Sequence, residues 1–132
     1  MATKKKTALT RDKINQASDI EYEYVDVPEW NGTARVRGLT GTERDAYEAS
    51  LVIVKHTKGR RGGGVQVLPR MKDARARLVS LCLVDDDDNR LYSDDQVGEL
   101  AVKSGKALDR VFEVASRLSG LTDDDMEELA GN

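Results

Sequence analysis

The side chains of this sequence best suited to chemistry form an acidic run, DDDDN. Asp85, Asp87 and Asn89 have the one-three-five spacing of the oxygen ligands in an EF-hand calcium loop. The sixth position needs glycine for a sharp turn and holds Arg90, and the twelfth needs a bidentate glutamate and holds Gln96. Because both departures fall at the positions that constrain the loop most, we interpret the run as a solvated connection between helices, with calcium binding as the alternative.

One histidine and one cysteine limit the other chemistry that the chain can perform. His56 stands between Lys55 and Lys58 on a predicted mobile loop, where it is a poorly oriented general base. Cys82 lacks a partner for an internal disulfide and falls in an apolar helical pattern, which predicts a small buried hydrophobe. The two residues are too few for a zinc site. We expect no enzymatic activity, no metal and no cofactor.

A β-hairpin is predicted around the dipeptide Asn-Gly at 31–32, which lies between two segments of alternating polarity. A two-residue loop there places Val27 opposite Val36 and Asp26 opposite Arg37. The second pair would support the register through opposite charges.

The two faces of this hairpin differ in character. The apolar face should pack on the domain, and the other face carries the only tryptophan of the chain together with two arginines and a tyrosine. Arginine over tryptophan is a favourable cation–π pair, and both residue types are enriched in interface hot spots. Trp30 therefore either stacks on its own arginines, or binds a partner, or folds beneath the hairpin onto a helix. The predicted partner-binding residues are Trp30, Arg35, Arg37, Tyr24, Arg60 and Arg61.

Helices are predicted from capping boxes and apolar periodicity. Thr40–Glu43 and Ser93–Gln96 both have the S/T-x-x-E/Q pattern. Gly120 is a natural C-cap for the helix with the clearest apolar stripe, which is formed by Leu108, Val111, Phe112, Ala115 and Leu118. The predicted helices cover about 40–55, 69–84, 93–101, 105–119 and 122–129, with a glycine-rich loop at 56–68.

Together these elements predict an α+β fold in which an N-terminal β-hairpin packs on a small bundle of about five helices. Residues 1–18 lack apolar periodicity and are predicted to be a disordered basic tail, and residues 19–132 to be a single domain.

Charge is segregated along the chain although the net charge is only -3. Residues 55–77 hold eight basic side chains and one acidic one, residues 85–95 hold six acidic and one basic, and residues 122–128 hold five acidic and none basic. These segments are either solvated faces or complementary patches that join subunits head to tail. Scarce aromatics and a negative net charge argue against nucleic acid, and no apolar run is long enough to span a membrane.

Four short segments of the chain resemble the tail assembly chaperones of long-tailed phages, the family of the lambda G protein and the XkdN-like proteins. They are VPEWNG (27–32), VRGLT (36–40), ERD (43–45) and the A-x-x-L-S-G-L pattern at 115–121. The resemblance covers about residues 18–131, and its motifs are not catalytic.

The resemblance implies a function and a set of partners. Such chaperones coat the long helical tape measure protein before the tail tube polymerises around it, act in the host cytoplasm and are absent from the mature virion. A longer frameshifted form can recruit the tail tube protein. We therefore expect a non-enzymatic, self-associating chaperone that binds neither nucleic acid nor membrane. The alternative is a structural or scaffold module of the head–tail or minor tail apparatus.

Overall fold

The computed structural model describes residues 6–59 and 62–121. Helices and strands are both present, with the strands in two small sheets, so the predicted α+β class is confirmed. The elements in chain order are α1 (Arg11–Gln16), β1 (Tyr22–Val27), β2 (Gly32–Arg37), α2 (Gly41–Ser50), β3 (Val52–Thr57), β4 (Gly64–Pro69), α3 (Ala74–Cys82), β5 (Leu83–Val84), α4 (Val97–Ala101) and α5 (Gly105–Leu118).

The first hairpin forms between β1 and β2, but its turn is longer than the sequence predicted. Pro28–Trp30 form one 3₁₀ turn, and Asn31 closes it in the left-handed conformation with φ 55°. The last pair of the ladder is Val27 opposite Gly32. Because the proline ring fixes φ at about −65°, Pro28 suits the 3₁₀ turn better than an extended strand, and the strand ends before it. The predicted two-residue loop is therefore wrong.

The longer turn shifts the pairing of the strands by four residues. Asp26 faces Thr33, whose hydroxyl donates to the Asp26 carboxylate at 3.0 Å, so the predicted Asp26–Arg37 pair does not form. Side chains alternate with a period of two, so an even shift keeps each strand residue on its predicted face. Val27 and Val36 accordingly lie on the core face and are buried.

The core lies between the three-stranded sheet, with strand order β1-β2-β5, and the helices α3 and α5. The predicted stripe of α5 faces it: Leu108, Val111 and Ala115 are buried, and Phe112 and Leu118 are partly buried against them. The helix is capped by Ser104, and Gly120 follows its C-terminus in the left-handed conformation with φ 72°. These predictions are confirmed.

Both capping boxes are also present. Glu43 donates its N–H to the Thr40 hydroxyl at 3.2 Å and accepts the Thr40 N–H at 3.0 Å. Ser93 and Gln96 make the equivalent pair at the turn before α4. A helix therefore begins where the sequence predicted, although α2 ends at Ser50 rather than near Lys55.

A second hairpin, β3–β4, replaces the end of the helix predicted at about 40–55, most of the predicted glycine-rich loop and the predicted helix start near Pro69. The run Val52-Ile53-Val54 is β-branched, and valine alternates with polar residues at 65–67, both of which favour strands over helix. The following helix, α3, begins only at Ala74. The predicted loop at 56–68 is thus wrong for most of its length.

The two ends of the chain were predicted to form a disordered tail and a short helix. Within the predicted disordered tail, Arg11–Gln16 form a short exposed helix whose N-cap is Thr10. The division into a tail at 1–18 and a domain at 19–132 stays a prediction. The predicted helix at 122–129 lies outside the described residues. No helix in the described part of the chain is long and apolar enough to cross a membrane.

Candidate partner-binding surfaces

Trp30 lies on the core side of the first hairpin and not on the face of the arginines. It is partly buried and packs against the core cluster. The 3₁₀ turn that carries it is held to α5, because the Arg110 Nε donates to the Glu29 carboxylate at 3.1 Å. Of the three alternatives for Trp30, stacking on Arg35 and Arg37 is therefore wrong, and binding of a partner stays a prediction. A residue in the turn does not follow the alternation of the strand, which is why the strand pattern misplaced it.

Trp30 forms one wall of an open groove of about 420 Å³. The lining is mostly apolar, and Lys103 is its one charged member. Leu91, which is 50% exposed, lies at the groove as well. Such a groove can hold a large apolar side chain of another protein. Its lining residues are Val27, Trp30, Gly32, Thr33, Ala34, Leu83, Leu91, Tyr92, Leu100 and Lys103.

Arg35 is engaged within the protein. Its guanidinium donates to the Asp85 carbonyl at 3.0 Å and forms an ion pair with Asp88. It also lies over the Tyr22 ring, 4.1 Å from the centroid, so the cation–π pair forms with a tyrosine instead of the tryptophan. The hydrogen bond to Asp88 and the negative charge of that carboxylate raise the pKa of Arg35. Arg35 therefore ties the acidic loop to the hairpin.

Arg37 anchors the start of α2. Its two terminal nitrogens donate to the two carboxylate oxygens of Glu43 at 2.9 and 2.5 Å, and its side chain is only 14% exposed. This hydrogen bonding lowers the pKa of Glu43 from 4.5 to about 2, and the Thr40 N–H adds to the shift. Like Arg35, Arg37 serves the fold in this structure, and a contact with a partner would have to use the exposed remainder of its side chain.

Replacing Glu43 with glutamine should destabilise the protein at neutral pH and much less in acid. Because the folded pKa of Glu43 is depressed, its stabilisation is complete above about pH 4.5 and is lost as the pH falls towards about 2. We expect a loss of about 1.5–3 kcal/mol in unfolding free energy at pH 7, typical for hydrogen bonds to charged groups. Urea titrations at pH 7, 5, 4 and 3 measure it.

The control for this prediction is Glu113→Gln, which removes an exposed carboxylate from α5. It should change the unfolding free energy by less than about 0.5 kcal/mol at each pH. A Glu43→Gln penalty that is as large at pH 3 as at pH 7 would contradict the assigned role of the Arg37–Glu43 pair.

Tyr24 is the exposed member of the predicted set. Its side chain is 63% exposed, and its hydroxyl donates to the Asp86 carboxylate at 3.1 Å. Arg60 and Arg61 lie outside the described residues. The structure therefore keeps Tyr24, Arg35 and Arg37 on one face of the hairpin and separates Trp30 from them, and binding by the predicted set stays a prediction.

The acidic loop uses its oxygens for internal hydrogen bonds. The Asp85 carboxylate accepts the N–H groups of Asn89 and Asp87, both at 2.9 Å, and these bonds lower its pKa. Asp88 adopts φ 69° and pairs with Arg35. Across residues 6–59 and 62–121, no group of three or more His, Cys, Asp or Glu side chains is placed to hold a metal ion.

The one cysteine and the one histidine of the sequence lie in different environments. Cys82 is fully buried, and burial raises the pKa of its thiol to about 12, so it behaves as the predicted small hydrophobe. His56 lies on strand β3 and not on a mobile loop, and it is exposed.

Sequence reasoning missed one exposed feature of the structure, the ribbon formed by β3 and β4. Its aliphatic side chains face solvent: Val54 is 51% exposed, Val65 64% and Val67 61%. The alternation of valine with polar residues in Val65–Val67 was the signal that could have identified it.

The fold and these surfaces define a small α+β protein that presents an apolar groove and an exposed ribbon, which is the character of a protein-interaction module. The sequence model of the phage tail assembly chaperones matches residues 9–131. The chain therefore belongs to the phage tail assembly chaperone family. No curated protein and no solved structure matches it.

Proposed function

We propose that this protein binds the tape measure protein of its phage, keeps it soluble until the tail tube polymerises around it, and is absent from the mature virion. Membership of the tail assembly chaperone family over residues 9–131 is the observation that carries this proposal. The protein acts in the host cytoplasm during infection, without catalysis, by covering apolar surface on its partner.

The Trp30 groove is the contact that we assign to the tape measure protein. An amphipathic helix binds to a groove by inserting apolar anchor side chains from one face. Trp30, Leu91 and Tyr92 offer the aromatic and aliphatic walls that such an anchor needs, and Lys103 favours an acidic residue beside it. A shallow and open groove suits a chaperone that must release its partner.

Self-association is the second part of the proposed function. A tape measure protein is long, so many copies of a small chaperone must cover it, and contacts between copies would raise the affinity of the coat through avidity. A longer frameshifted form would bring the tail tube protein to the same coat.

Mass spectrometry of two samples tests the proposed role. The tape measure protein should co-precipitate with this protein from infected cells during tail assembly, and purified virions should lack this protein. Its presence in virions in stoichiometric amounts would contradict the chaperone role and would support the alternative, a structural module of the head–tail or minor tail apparatus.

A further inference from the structure

The β3–β4 ribbon has the properties of a surface that is completed by another chain. Val54 pairs with Val67 across the ribbon, and both side chains are more than half exposed. A two-stranded ribbon is at best marginally stable in water, and it gains stability when a further strand is added to it. Its two edges are open in the described residues, because the sheet contains only β3 and β4.

Half of the backbone N–H and C=O groups of β3 point away from β4, to the side where an additional strand would bind. Arg70 donates its N–H to the Leu51 carbonyl at 2.6 Å. Along an antiparallel strand, the backbone N–H and C=O groups of successive residues point alternately towards the paired strand and away from it. Because Leu51 bonds the β4 side, the backbone groups of Val52, Val54 and His56 point away from β4. The β4 edge is the weaker one because Pro69 has no N–H to donate.

Strand β1 presents a matching edge on the three-stranded sheet, because in the part of the chain that the structure describes the order β1-β2-β5 places no further strand on its outer side. Gly38 donates its N–H to the Glu21 carbonyl at 3.0 Å. By the same alternation, the backbone groups of Tyr22, Tyr24 and Asp26 point outwards. The two tyrosines are 42% and 63% exposed.

The two edges carry opposite charge. No basic residue lies between Lys13 and Arg35, a segment that contains β1 and its acidic side chains. No acidic residue lies between Glu48 and Asp73, a segment that contains β3 and β4 together with Lys55 and Lys58. Opposite charge at the two edges favours pairing between them and opposes pairing of either edge with its own copy.

We propose that β3 of one protomer pairs antiparallel with β1 of a second copy, joining the two-stranded and three-stranded sheets into one. Two residues that exchange backbone hydrogen bonds across an antiparallel pair lie directly opposite each other, and their side chains lie on the same face of the sheet. Pairing therefore sets the exposed Tyr22 and Tyr24 beside Val52 and Val54. Aromatic and β-branched side chains are favourable cross-strand neighbours.

This contact repeats from copy to copy. Each protomer contributes one ribbon and one β1 edge, so the contact is heterologous and adds protomers head to tail. The inference rests on the self-association part of the proposed function and is independent of how the tape measure protein is bound.

A charge exchange between exposed residues tests the pairing. The ribbon variant Lys55→Glu/Lys58→Glu and the edge variant Glu21→Lys/Asp26→Lys should each sediment as monomers at concentrations where the natural protein associates. In a mixture of the two variants, the acidic ribbon of one variant should attract the basic β1 edge of the other. The mixture should therefore form oligomers again. Sedimentation velocity over a hundredfold range of concentration measures both results.

Amide hydrogen exchange locates the contact within the ribbon. The Val54 N–H points outwards and should exchange at least tenfold more slowly in the oligomer than in the ribbon variant. The neighbouring Lys55 N–H, which points towards β4, is the matched control and should change far less.

Three results would overturn the inference. They are a natural protein that stays monomeric throughout, charge variants that associate as it does, and a mixture that remains monomeric. Co-purification of the ribbon variant with the tape measure protein separates this inference from the proposed function. If the ribbon variant still binds the tape measure protein, the result supports a role of the ribbon in self-association. If the variant loses this binding but still self-associates, the ribbon would instead be assigned to the tape measure protein.

Discussion

Replacing Trp30 with alanine should weaken the proposed binding of the tape measure protein by about thirtyfold or more. The side chain forms a wall of the apolar groove, and truncation of a hot-spot tryptophan costs about 2 kcal/mol or more in binding free energy. The loss of folding stability should be smaller, about 1 kcal/mol, because the side chain is only partly buried. Isothermal titration with a soluble tape measure fragment measures the affinity, and urea unfolding measures the stability.

Two variants control this prediction. Trp30→Phe keeps an aromatic wall and should lose less affinity. Met71→Ala removes an exposed apolar side chain that does not line the groove and should leave the affinity within about twofold. Because Trp30 is the only tryptophan, its fluorescence also reports on the groove directly and should shift to shorter wavelength when the tape measure fragment binds. An unfolded Trp30→Ala variant would assign Trp30 to the core, and unchanged affinity would remove it from the binding site.

Replacing Gly38 with alanine should destabilise the folded protein strongly. Gly38 is buried at the end of β2, and an added Cβ would lie 2.4 Å from the Leu118 carbonyl oxygen and 3.0 Å from its carbon. A backbone group cannot rotate away, so the last turn of α5 must move from the sheet and disturb the hydrogen bond from the Leu39 N–H to the Ser119 hydroxyl. Overpacking of this kind costs about 1–3 kcal/mol, a large share of the stability of a small domain.

The control for this substitution is three residues away. Gly41 is the first residue of α2, and an added Cβ meets nothing within 4 Å. Gly41→Ala should change the free energy of unfolding by about 0.5 kcal/mol or less. If Gly38→Ala leaves the urea midpoint unchanged, then the close approach between β2 and α5 does not exist in the protein.

The sequence predicted the elements whose signals are local. The capping box at Thr40–Glu43 depends on residues three apart, and the apolar stripe of α5 repeats within a single helix, so both were found. The family resemblance was likewise carried by short segments and was confirmed over residues 9–131.

The features that depend on non-local geometry were not predicted. The turn at Pro28–Trp30 decides where the tryptophan lies, and the strong Asn-Gly signal favoured a tighter turn in its place. The ribbon of β3 and β4 was missed because its glycine-rich basic connection resembles a loop. The pairing that defines the ribbon runs from Val52 opposite Pro69 to Thr57 opposite Gly64, and no local pattern in the sequence reveals it. Arg35 and Arg37 were predicted to contact Trp30 or a partner. Their ion pairs with Asp88 and Glu43 were not predicted, because they depend on where the acidic loop and the start of α2 lie relative to the hairpin.

The most direct test of the central claim is co-expression with the tape measure protein of the same phage. The soluble fraction of the tape measure protein, measured with and without this protein and with the Trp30→Ala variant, should rise severalfold with the natural chain and much less with the variant. The two natural proteins should also co-purify. A tape measure protein that is equally insoluble in all three cases, and that does not co-purify, would contradict the proposed function.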